Sequence, residues 1–319
     1  MSLAFLSSDV FSNAVAVGTV AAVVSSLVGY FIVLRAQAFA AESFIDICFA
    51  GATGASLLGV APLAGMAVFG LGAALGMGFL GEKARERSVE IGMVVSFALG
   101  LGVLFLGIYA RGSAAHANAG IAFLFGSLLS VQTADIFRML AIAVVVLAAL
   151  AIVFRPLLFI TADAEAAAAR GVPVRVVSTV FLLIVALAAA AGAMAVGILL
   201  AASLLIAPAA AAARLARRPA TALLLSVCMG LGVTWGGILL AFLGSRWRLP
   251  VGFTVSALAA VLYFAAAVTR RKGYAGGGGR IIIGDSAETG QWISKKESPK
   301  LFRGSAKEPR SRAGKSPET

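Results

Sequence analysis

Nine apolar stretches of about twenty residues recur along this chain, and no other feature restricts its fold so tightly. They run over 14–34, 43–60, 62–80, 91–110, 135–154, 174–194, 195–213, 220–243 and 250–270. A helix needs about 20 mostly apolar residues to cross the hydrocarbon core of a bilayer. Lipid offers backbone N–H and C=O groups no partner, so such segments must satisfy themselves as helices. Composition agrees: 61% of residues are hydrophobic and 13% charged, with mean hydropathy +1.00, whereas a soluble domain carries roughly 25% charged residues. The expected fold is all-α, a polytopic membrane bundle of about 8–9 transmembrane helices. The stretches least defined by pattern are 43–60, which holds Asp46, and the pair meeting near Met194, which also reads as one kinked hairpin.

Charge orients the bundle. Residues 1–10 carry no Lys or Arg, and the first run is longer than a signal core and lacks an A-x-A cleavage pattern, so it reads as a retained helix. Lys and Arg in short loops mark the cytoplasmic side. With the N-terminus outside and nine spans, one side collects Arg35, Lys83, Arg85, Arg87, Arg155, Arg170, Arg175, Arg214, Arg217, Arg218, Arg270, Arg271 and Lys272. The other side holds only Arg111, Arg138, Arg246 and Arg248. The C-terminus is then cytoplasmic. Residues 1–272 read as the membrane domain, and 273–319 as a basic, disordered tail rich in Gly, Ser, Lys and Pro. Beside a membrane that tail faces anionic lipid rather than nucleic acid. Cys48 and Cys228 both fall in apolar runs and read as buried free thiols.

Gly and Ala crowd the helices, as in GMAVFGLGAALGMGFLG (65–81) and ALAAAAGAMAVG (186–197). Small residues let membrane helices approach at backbone range, where lipid supplies no hydrophobic drive for association. Pro62 is placed to open a helix after a hairpin, and Pro208 to kink or interrupt one.

One basic-side loop stands out, FITADAEAAAARGVPVRVVSTVFLL (159–183). Ala162–Arg170 is a short stretch of strong helix formers, with Thr161 or Asp163 as N-cap, Glu165 in the first turn, and Gly171 after the end. A rigid knob between two spans is what a permease presents to an ATPase. On spacing alone, an ordinary interhelical loop reads as well.

Four segments in order resemble the zinc/manganese (chelated-metal) permease family of bacterial ABC importers. GYFIVLRAQAFAAESF (29–44) resembles its G-x-F-x-V-L-R-x-x-x-F-x-G-D segment, and LFGSLLSV (124–131) its L-F-G-x-L-L-x-V segment. ITADAEAAAARGVPV (160–174) resembles its coupling loop. VGILLAASLLIAPAAAAARLARRP (196–219) resembles its V-G-x-L-L-V-x-x-L-L-I-x-P-A-A-x-A-R-L segment, with one more Ala before Arg214. The resemblance implies a multi-pass subunit of the bacterial plasma (inner) membrane. It would be paired with a second permease subunit, identical or not, and served by an ABC ATPase subunit and an extracytoplasmic metal-binding protein. It assigns the ATPase contact to Thr161, Asp163, Glu165, Arg170 and Gly171. No cofactor is expected on this chain. There is no G-x-x-x-x-G-K-[ST] loop, since AGKS (313–316) has Pro309 where that motif needs Gly, so ATP belongs to the partner and the chain is not itself an enzyme.

The departure lies in AFAAESFIDICFAGATG (38–54), where two acids stand in an apolar run. Family members read G-D-A-x-S-H-A there, an Asp and a His four residues apart that contact the metal. Here Glu42 replaces the Asp and Asp46 the His, so the spacing survives while the nitrogen ligand does not. Residues four apart share a helix face. Carboxylates suit manganese, calcium, magnesium and iron(II), whereas imidazole suits zinc. Glu42 and Asp46 therefore stand as candidate metal contacts in the pathway. The structural alternative places Glu42 at the interface, paired with Arg35. His116, Ser96, Ser127, Gln132 and Asp135 are further polar groups near span ends, unranked by sequence. A channel or secondary transporter using the same carboxylates, and a permease for a metal chelate, are the rival readings.

Overall fold

In the computed structural model, residues 9–80, 88–112, 119–126, 133–216, 218–243 and 250–273 are described. In chain order the helices are α1 (Asp9–Leu34), α2 (Ala38–Leu57), α3 (Pro62–Leu80), α4 (Ser88–Arg111), α5 (Ala119–Phe125), α6 (Thr133–Ala162), α7 (Ala164–Ala169), α8 (Val174–Val196), α9 (Ile198–Leu215), α10 (Pro219–Leu243) and α11 (Val251–Gly273). No strand occurs among the described residues. Each of the nine apolar runs coincides with one helix; α5 and α7 are the short additions. Among the described residues, seven helices are long and apolar enough to cross a membrane. The other two runs are α2, whose apolarity Glu42 and Asp46 dilute, and α9, whose apolar stretch Ala201–Leu215 is shorter.

The helices sort by burial rather than by sequence character. Over their most apolar stretches α1 and α8 are 67% buried, and α4 only 11%. Nearly every helix is apolar all round, so only packing decides which faces meet protein. Phe79, Phe97, Ile152, Leu224 and Phe264 stand exposed on the outside, which suits a bilayer as solvent. Cys228 is exposed too, on α10, while Cys48 is buried. The expectation of two buried thiols therefore holds for Cys48 alone, because an apolar run does not reveal which of its faces packs inward.

α1 is the hub of the bundle. Gly29 lies so close to the backbone carbonyl of Leu205 on α9 that a Cβ there would overlap it. Phe31 meets Phe154 of α6 and Phe181 of α8 edge-on, at centroid distances of 5.6 and 6.2 Å. Ser25 lies by Gly192 and Arg35 by Ser178, so α1 and α8 run antiparallel. A Cβ built at Gly192 would sit 3.8 Å from that of Ala201, whereas nine residues along a straight helix span about 13 Å. The chain therefore turns back between α8 and α9, at Gly197 with φ +96°. A hairpin thus resolves the pair near Met194, and its break is at Gly197, while Pro208 sits inside a continuous α9. The registers along α1 gather Arg35, Arg170, Arg175 and Arg214 at one end.

Replacing Gly29 by Ala should separate α1 from α9 and cost about 3 kcal/mol, as overpacking of a tight contact does. Gly72 has nothing within 4 Å of a built Cβ, so Gly72→Ala should be neutral or stabilise by up to about 1 kcal/mol. Thermal unfolding of the detergent-solubilised protein compares the two variants directly.

Candidate functional site

The chain enters α2 through a three-residue turn. Arg35 N–H donates to Phe31 O, Ala36 N–H to Val33 O, and Gln37 N–H to Ile32 O. Ala36 adopts φ 53°, the one non-glycine residue in the left-handed region among the described residues, at a cost of about 1–2 kcal/mol for a residue with a Cβ. Beyond the turn, α2 buries Phe44, Ile45, Cys48, Phe49 and Ala52 in the core. Its hydroxyls turn back onto the helix: Ser43 donates to Phe39 O at 2.8 Å and Thr53 to Phe49 O at 2.9 Å. Cys48 Sγ lies 3.3 Å from Met66 O on α3, to which it donates, and so points away from the acids.

One narrow face of α2 stays free, and the two carboxylates occupy it. Phe39 and Glu42 are exposed and Asp46 is half-buried. Asp46 lies about 6 Å deeper than Glu42 along the axis. Arg35 does not pair with Glu42. Its Nη2 donates to Ser178 Oγ of α8 at 2.8 Å, and its guanidinium carbon lies 5.4 Å from the Phe181 ring centroid. Burial holds this guanidinium below the ordinary arginine pKa. No cluster of three or more His, Cys, Asp or Glu side chains exists among the described residues. The Glu42/Asp46 pair is thus an open, two-carboxylate face, able to offer hard oxygen ligands but too few to enclose an ion.

The second feature is α7. Asp163 is its N-cap, its side chain accepting from Ala166 N–H at 2.9 Å. Thr161 is not the cap; its hydroxyl donates back to Leu157 O at 2.6 Å inside α6. Glu165 stands in the first turn, where the helix dipole favours it. At the other end Gly171, at φ +81°, donates to Ala168 O, and Val172 N–H to Ala167 O, a paired closure that satisfies the last carbonyls. The Arg170 guanidinium lies 5.2 Å from the Phe159 ring centroid. Only Ala167 is buried, so the helix is a capped knob seated on α6 and α8 by one alanine, with its acids outward.

Sequence reasoning missed two things. Nothing flagged Ser178, because a serine one turn into an apolar span carries no signal until Arg35 is seen beside it. Nor did Gly197 stand out among many glycines, although a Cβ there would collide with the backbone of Leu124–Gly126 at the end of α5. Two of the family-like segments, 124–131 and 196–219, meet at that contact. Ser96 lies on an exposed face of α4. His116, Ser127, Gln132, the Asp135 side chain and the tail from 274 lie outside the described residues.

The model of the ABC 3 transport family matches residues 7–270. The chain belongs to the ABC 3 transport family. The manganese transport system membrane protein MntC of Listeria innocua is 29% identical over 164 residues, 51% of this chain and 57% of the relative. The chain thus spans little more than half the length of that relative. The manganese import system permease protein ScaB of Streptococcus gordonii is 26% identical over 252 residues, covering 79% of this chain and 88% of the relative. Among solved structures, PsaBC from Streptococcus pneumoniae in complex with Fab superposes with a TM-score of 0.72 at 25% identity, covering 82% of this chain and 92% of that one. This member of the ABC 3 transport family is a multi-pass membrane transport protein whose described residues form helices and no strand.

In this family member α7 should depend on its cap. Asp163→Ala removes the acceptor for Ala166 N–H and should cost the helix about 1 kcal/mol, seen as roughly fivefold faster amide exchange in the peptide covering 159–173. Asp163→Ser, which can also cap, should stay near the parent rate.

Proposed function

We propose that this chain is the membrane permease subunit of an ABC importer for a divalent metal ion that prefers oxygen ligands, with manganese as the leading cargo. The observation that carries this is the open Glu42/Asp46 face on α2, in a chain whose relatives include manganese transport permeases. Each acid costs on the order of 2.5–3.5 kcal/mol at a helix centre on insertion scales, a cost that an apolar helix with no use for them would avoid. A hard divalent cation of the calcium class takes about 6–8 oxygens. Two carboxylates with waters, or with ligands from a second permease subunit, would hold it loosely, and transit needs binding weak enough to release. The absence of imidazole moves the preference away from zinc.

Energy comes from elsewhere in this reading. ATP is hydrolysed on a separate ATPase subunit, which grips α7 through the outward side of Asp163, Glu165 and Arg170. An extracytoplasmic binding protein delivers the ion to the opposite face of the plasma membrane. Closure of the ATPases pushes the α7 knob, and the bundle alternates access around the carboxylate face.

Radiolabelled manganese uptake tests this in proteoliposomes holding the chain with its ATPase and loaded binding protein. Uptake should require ATP, and Asp46→Ala should lower it at least about tenfold. Asp46→His should move the manganese-to-zinc ratio toward zinc; an unchanged ratio would show that Asp46 does not set selectivity. Uptake that persists without ATP would make the chain a secondary transporter.

A further inference from the structure

Arg35 is a half-buried cation with no carboxylate partner at the turn where α1 hands over to α2. Its Nη2 bonds one neutral hydroxyl, Ser178 Oγ, at 2.8 Å. Its charge lies over the Phe181 ring, and its Nη1 is buried with no hydrogen-bond partner. Gln37 Oε1, two residues on, is buried without a partner as well. The guanidinium carries five N–H donors, of which the bond to Ser178 uses one while Nη1 has no partner. Both of its contacts are on α8, in the first two turns after the α7–α8 corner.

The connections on either side are stiff. From α7 the chain passes through the Gly171–Val172 closure and Pro173 directly into α8, with Val174 N–H donating to Val172 O. On the other side, three backbone hydrogen bonds and the left-handed Ala36 leave the 35–37 turn no slack. Gln37 O accepts from Ala41 N–H, and the next residue is Glu42. α1 and α2 make little direct contact, while α2 packs on α8 further along, and at the turn itself Arg35 joins the corner after α7 to the start of the carboxylate helix.

We propose that Arg35 is a positioning residue for transport: through Ser178 it carries displacement of the α7–α8 corner into the α1–α2 turn, and so sets the tilt of α2 with Glu42 and Asp46. A strained turn with a buried unpaired donor and acceptor is suited to two arrangements, because the groups unsatisfied in one can find partners in the other. The inference rests on reading α7 as the ATPase contact.

The test is a double-mutant cycle in the reconstituted complex, with manganese imported per ATP hydrolysed as the readout. Arg35→Gln and Ser178→Ala should each lower that ratio at least about fivefold, the low end of a typical coupling between sites. Arg35→Gln/Ser178→Ala should be no worse than either single variant, because both remove one interaction. Basal ATPase rate, co-purification with the ATPase and half-saturating manganese should stay within about twofold of the parent. Arg35→Lys, which keeps the charge and can reach the same hydroxyl, should recover most of the ratio. An unchanged ratio in Ser178→Ala, or losses that multiply in the double variant, overturns the inference even if Arg35→Gln fails to assemble. ATP-driven uptake that survives in every variant refutes the role of Arg35 alone. A parent complex that imports manganese without consuming ATP removes the reading of α7 and this inference together.

Discussion

The rest of the bundle depends on helix contact at backbone range, above all the approach of α1 to α9 at Gly29 and Leu205. In lipid there is no hydrophobic gain from bringing two apolar helices together, so association depends on close van der Waals contact. Gly29 provides it between α1 and α9, and Gly51 and Gly65 provide it between α2 and α3. With α1 held at that distance, Phe31 reaches both Phe154 and Phe181, and the α8–α9 hairpin closes against it. The two ends of the bundle are then defined: one gathers Arg35, α7 and Arg214, and the other holds the reversal at Gly197.

That arrangement gives the acids of α2 their exposure. The buried faces of the helix are claimed by α3, α4, α8 and α9, and among the described residues Glu42 and Asp46 lie on the face left open. Among the described residues this pair of carboxylates has no cationic partner. Arg35, the nearest cation along the chain, is turned toward Ser178 and Phe181 instead. Separation of these charges is therefore a property of the packing around α8, not of the order of residues, in which Arg35 and Glu42 stand seven positions apart.

Much of the fold was legible. Nine apolar runs became nine helices, because backbone hydrogen bonding in lipid allows no other answer for such a segment. The capped helix between α6 and α8 was legible as well: alanines, a capping acid and a following glycine act within one or two turns and need no distant partner. The choice of cap was harder. Thr161 and Asp163 are both competent, and Asp163 prevails because α6 runs on to Ala162, leaving Thr161 to bond its own helix. Burial was the least legible property. Cys48 and Cys228 sit in runs of the same character, yet one donates to Met66 O and the other faces outward.

By itself, then, the sequence determined the class of the fold, where the apolar helices fall among the described residues, the spacing of the two acids on α2 and the likeness to a transport family, because each depends on local periodicity or on segments read in order. Tertiary structure alone decided which face of each helix is inside, where the chain reverses between α8 and α9, and that Arg35 meets Ser178 rather than Glu42. The physical reason is common to all three. Membrane helices that are apolar all round carry no amphipathic mark of their inner face, so facing and register come from where a backbone can approach, and only the assembled bundle shows that.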